Sequence, residues 1–95
     1  MEIRELKSFA AAARNSSISK AAEQLEIGQP TVTTHIKKLE LEWSVQLFDR
    51  VTRPIKLTLS GQKVFELVEP LLNGLETLSN KSTMEEEKGP VVIAS

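Results

Sequence analysis

Residues 17–40 read SISKAAEQLEIGQPTVTTHIKKLE, and this stretch decides the fold. Its apolar residues form two groups at helical spacing: Ile18, Ala21, Ala22 and Leu25, then Val32, Ile36 and Leu39, continued by Trp43. Between them lies Glu26-Ile27-Gly28, which reads as a tight corner with Ile27 as its apolar plug. Gly28 offers that corner backbone angles that a Cβ would forbid. Pro30 falls in the first turn of the following helix, where a missing N–H costs nothing. Ser17 or Ser19 is placed to cap the preceding helix through its hydroxyl. The pattern predicts helices over about 19–25 and 29–43, and the paired alanines allow them to approach closely.

Upstream, Ile3, Leu6, Phe9, Ala10 and Ala13 mark one apolar face of a first helix over about 3–14, broken by Asn15-Ser16-Ser17. Downstream, residues 45–50 and 55–59 alternate by twos around Val51-Thr52-Arg53-Pro54, the pattern of a short two-stranded hairpin. Thr58 or Ser60 then caps a fourth helix reaching towards Glu85, with Val64, Leu67, Val68, Leu71, Leu72, Leu75 and Leu78 as its apolar stripe. Such a helix spans roughly 40 Å, too long to rest wholly on so small a domain, so the stripe is assigned to self-association. Pro70 should kink this helix or delay its start. Residues 84–90 read as a linker, and Val91-Val92-Ile93-Ala94 as the opening strand of a further domain.

The fold class is therefore mainly α: a winged helix-turn-helix of three helices and a two-stranded β-wing, then a long linker and dimerisation helix. The expected divisions are residues 1–59 for the winged unit, 60–88 for the helix and 89–95 for the start of a truncated domain.

Composition narrows the function. The chain has 95 residues, 40% hydrophobic, with no cysteine, which excludes disulfides and thiolate metal sites. No apolar run nears the roughly 20 residues a membrane span needs, so a cytoplasmic protein is expected. The net charge of −1 conceals a gradient: residues 1–63 carry ten Lys or Arg against seven Asp or Glu, and residues 64–95 carry two against six. No nucleophile motif, phosphate loop, histidine–acid pair or metal cluster is present, so neither an enzyme nor a metal site is read.

The chemistry lies on the third helix. A helix of this kind fits a major groove about 12 Å wide, with first-turn side chains meeting base edges. Gln29, Pro30, Thr31, Thr33, Thr34, Lys37 and Lys38 are its outward positions. Gln29 is the base reader, suited to a bidentate bond with adenine. Lys37 and Lys38 suit phosphates. Arg53, held extended by Pro54 in the wing, can lie over a phosphate or enter the minor groove. Val32, Ile36, Leu39 and Trp43 are core, and the single histidine, His35, is read as a solvated surface residue.

These features together resemble the N-terminal domain of LysR-type transcriptional regulators. The resemblance rests on Leu6 and Phe9, Ser17 through Leu25, Gln29-Pro30, Val32, Ile36, Leu39-Glu40, Leu47-Phe48, Arg50, Leu57-Thr58 and Gly61. It implies a sequence-specific binder of double-stranded promoter DNA that dimerises through antiparallel linker helices and forms tetramers at full length. RNA polymerase is a further partner in that picture. No cofactor is implied for these residues, and a small-molecule effector belongs to the C-terminal domain. Three positions depart from the family: Gly28 replaces serine or alanine, Thr34 replaces arginine or lysine, and Trp43-Ser44 replaces leucine-glycine. The weak net charge and Thr34 also admit a second reading, a winged helix that no longer binds DNA and serves protein interaction.

Overall fold

The computed structural model describes residues 1–51 and 53–85, the last six as backbone only. The expected linker, from residue 86 on, and the expected strand at 91–94 lie outside the described residues.

The first helix, α1 (Ile3–Asn15), starts with a capping box in which the Glu2 N–H donates to Glu5 at 3.1 Å. It is the hub of the fold. Ser8, Phe9, Ala10, Ala11 and Ala12 are all fully buried, so α1 is enclosed rather than buried along one face as the spacing predicted. Small side chains make this feasible, because alanine and serine let neighbours approach on several sides. Around it pack α2 (Ile18–Leu25), α3 (Gln29–Trp43) and part of α4 (Leu59–Glu85).

Ser17 caps α2, its hydroxyl accepting from the Lys20 N–H at 3.0 Å. The corner to α3 closes differently from the sequence reading. Glu26 takes the left-handed conformation (φ 60°), while Gly28 is extended at φ −76°. The Ile27 N–H completes the cap on the Ala22 carbonyl at 3.0 Å, and its side chain is exposed rather than a plug. Ser16 and Ser44 also take positive φ, 51° and 55°, at the ends of α1 and α3. Three helices thus close without the glycine that this backbone conformation favours.

His35 is a second correction. It is half-buried, and its Nδ1 lies 2.7 Å from Oγ of the fully buried Ser8, which ties α3 to α1. Trp43 packs partly buried against the core, as expected.

The wing is shorter than the alternation predicted. β1 (Phe48–Asp49) pairs antiparallel with β2 (Lys56–Leu57), Phe48 opposite Leu57. The residues before β1 engage other partners: the Val45 N–H caps α3 on the Glu40 carbonyl, and the Leu47 N–H donates to the Glu40 carboxylate at 2.8 Å. After β2, Thr58 turns the chain into α4, with its hydroxyl accepting from the Gly61 N–H at 2.9 Å. Phe9 meets Phe48 and Phe65 edge to face at 5.6 and 6.2 Å, joining α1, wing and α4 in one core.

The leucine stripe of α4 divides in two. Val68 and Leu72 are buried in the protomer's own core, with Val64 packed beside them. Leu67, Leu71, Leu75 and Leu78 occupy the adjoining face and are 75%, 54%, 38% and 62% exposed. The first half of the helix needs cover for its own domain, which spacing alone could not separate from a partner-facing stripe. The helix runs unbroken through Pro70 and begins at Leu59, without the delayed start. This arrangement of helices and hairpin is a winged helix-turn-helix.

Candidate nucleic-acid interface

The burial of Val32, Ile36 and Leu39 fixes how α3 is rotated, and that rotation decides which side chains face outward. Gln29, Pro30, Thr31, Thr34, Lys37 and Lys38 are exposed, and Thr33 is half-buried. Gln29, Thr33 and Lys37 recur every four residues and form one wall of a groove of about 790 Å³. The wing lines the same groove through Arg50, Arg53, Pro54 and Ile55, and the amino end of α2 through Ser17, Ser19 and Lys20. Beside this groove, Gln29 and Thr33 share a shallower one with Pro30 and Thr34.

Five expected contact residues thus surround two adjoining grooves on the helix face, and Arg53 joins them from the wing. Thr31 and Lys38 line neither groove. Lys38 turns towards α1, where its Nζ lies 3.9 Å from the buried Glu5 carboxylate. Sequence reasoning passed over Arg50, Ser17 and Ser19 as groove residues, and left Lys20 open between a phosphate contact and a surface lysine. The signal for them was topological: the amino end of α2 and the wing meet only once the corner at 26–28 has set the helices at an angle.

The electrostatics resolve the puzzle of the charge. Among the described residues, the large groove is lined by Lys20, Lys37, Arg50 and Arg53 and by no carboxylate. Arg50 is balanced nearby, its guanidinium lying 3.2 Å from Glu40. A chain of net charge −1 therefore presents a cationic cleft, and local potential rather than total charge attracts an anion. Among the described residues no group of His, Cys, Asp or Glu is arranged to hold a metal ion, and no helix is long and apolar enough to cross a membrane.

Residues 3–62 match the family model described as "Bacterial regulatory helix-turn-helix protein, lysR family". The chain is 36% identical over 96 residues to the transcriptional regulator YofA of Bacillus subtilis, covering all of this chain and 34% of that protein. It superposes on the DNA-binding domain of BenM in complex with benA site 1 DNA with a TM-score of 0.84 and 33% identity, over 95% of this chain and 100% of that one. It superposes on the CbnR DNA-binding domain, also bound to DNA, with a TM-score of 0.78 and 31% identity, over 90% and 99% of the two chains. The chain spans about a third of the length of YofA.

Proposed function

The chain belongs to the lysR family of bacterial regulatory helix-turn-helix proteins, and from that premise we propose that it recognises a specific sequence of double-stranded DNA. In this reading α3 enters the major groove, with Gln29 and Thr33 against base edges and Pro30 and Thr34 on the adjoining face. Thr31 and Lys38 border that face. Lys37 neutralises phosphate, and Arg53 grips the flanking strand or its minor groove. The observation that carries the proposal is the cationic groove shared by α3 and the wing, with no carboxylate among the described residues that line it. The similarity to the BenM and CbnR DNA-binding domains, both solved with DNA, supports binding to double-stranded DNA.

The exposed face of α4 supports homodimerisation through Leu67, Leu71, Leu75 and Leu78. Val64, Val68 and Leu72, on the adjoining face, anchor that helix to the core. Tetramer formation, an effector bound by a C-terminal domain, and contact with RNA polymerase are proposed for the longer regulator. So is the division of this chain at residues 59–60 and 88–89.

The test is selection of bound duplexes from a random DNA pool, followed by titration of the selected and a scrambled duplex. Gln29→Ala should reduce the preference between them by about 1–3 kcal/mol with folding intact. Affinity for both should fall steeply with salt. Equal binding of selected and scrambled DNA by the unaltered protein would refute sequence recognition.

A further inference from the structure

Glu40 sits near the end of α3, about three turns beyond the base-reading turn, and its side chain is only 14% exposed. Its carboxylate accepts from the Leu47 N–H at 2.8 Å and from both terminal nitrogens of Arg50 at 3.2 and 3.4 Å. A carboxylate holding a backbone amide and a guanidinium fork fixes direction as well as distance. The Arg50 carbonyl in turn accepts from Arg53 Nη1 at 2.8 Å. A chain of hydrogen bonds thus runs from the recognition helix through Arg50 to the arginine at the wing. The same backbone is held from the other side, because the Thr58 N–H donates to the Leu47 carbonyl at 3.0 Å and the Thr58 hydroxyl donates to the Gln46 carbonyl. Segment 46–47 is thereby clamped between α3 and the start of α4.

Resting on the DNA-binding reading, we propose that Glu40 is a positioning residue: it touches no DNA, and it sets the wing at the distance from α3 at which Arg53 and the first turn of α3 engage one site together. Its action passes through Arg53. The removal of Glu40 therefore costs affinity only as long as Arg53 is present to be positioned. Gln29 lies eleven residues away, about 16 Å along the helix, and reads bases without this chain of bonds.

The experiment titrates a fluorescein-labelled duplex, selected by the unaltered protein from a random pool, with the full chain carrying E40Q, R53A, Q29A and the pairs E40Q/R53A and E40Q/Q29A. Glutamine keeps an oxygen for the Leu47 N–H and removes the charge that Arg50 needs. E40Q and R53A should each weaken binding about tenfold, and E40Q/R53A should be no weaker than R53A alone. E40Q/Q29A should show the two losses multiplied, as independent sites do. Circular dichroism confirms that each variant is folded at the assay temperature. Should E40Q unfold, Glu40→Asp, which keeps the charge and shortens its reach to Arg50, must show the same pattern. Losses that multiply in E40Q/R53A would overturn the proposal while leaving the DNA contacts of Gln29 and Arg53 standing. Tighter binding by E40Q would also overturn it, since Glu40 would then be withholding Arg50 from phosphate. Silent Q29A and R53A variants would instead remove the assigned DNA contacts on which it rests.

Discussion

Replacing Gly61 by alanine should destabilise the fold by about 2–3 kcal/mol, although alanine is the better helix former. Gly61 lies in the first turn of α4 and its backbone conformation is open to any residue, so only space decides the sign. A Cβ there would stand 2.1 Å from the Leu47 carbonyl oxygen and 3.0 Å from both the Leu47 carbonyl carbon and Leu57 Cδ2. The nearest obstacle is backbone, which cannot swing aside as a side chain would. To reach ordinary contact, α4 and segment 46–47 must part by about 1 Å or more. That motion strains or breaks the two bonds from Thr58 to the Leu47 and Gln46 carbonyls, worth about 0.5–1.5 kcal/mol each. Overpacking adds about 1–3 kcal/mol, and helix propensity returns up to about 1 kcal/mol. Urea unfolding followed by far-ultraviolet circular dichroism, at one fixed protein concentration, measures the balance. A midpoint unchanged or raised, at equal slope, would refute the close approach of α4 to the wing.

Ser44→Gly should raise stability by about 1 kcal/mol, because Ser44 is exposed at φ 55° and glycine relieves the strain; a lowered melting temperature would contradict this. Phe9→Ala should cost about 3–5 kcal/mol in urea unfolding, since it empties the meeting point of three aromatic rings. Leu71→Asp should convert a dimer to a monomer in sedimentation with the circular dichroism spectrum kept, because the residue is 54% exposed; a persisting dimer would place the interface elsewhere.

The helix-turn-helix was legible because its signals are local: apolar spacing at Val32, Ile36 and Leu39, and Pro30 within the first turn of α3. The ends of the first three helices matched within a residue for the same reason. What escaped depends on tertiary partners. His35 looks solvated in sequence because Ser8, its partner, lies 27 positions away. Gly28 looks like the left-handed residue of the corner because composition favours glycine, yet the cap geometry needs that conformation at Glu26. The α4 stripe reads as one face, since heptad spacing places Val68 and Leu71 side by side whichever of them the domain covers. On the candidate site, Gln29, Pro30, Thr33, Thr34 and Lys37 share the face that spacing predicted. Lys38 is drawn towards Glu5, a pairing between helices that no spacing within α3 reveals.

In the proposed complex, Gln29 meets a base edge in the major groove. Substituting 7-deazaadenine at each adenine of the selected half-site in turn, and titrating the unaltered protein and Gln29→Ala, tests it most directly. The change removes the N7 acceptor and leaves base pairing intact. At one position the substitution should weaken the unaltered protein by about tenfold and leave Gln29→Ala unaffected. Equal losses in both proteins at every sensitive position, or no sensitive position at all, would contradict the claim.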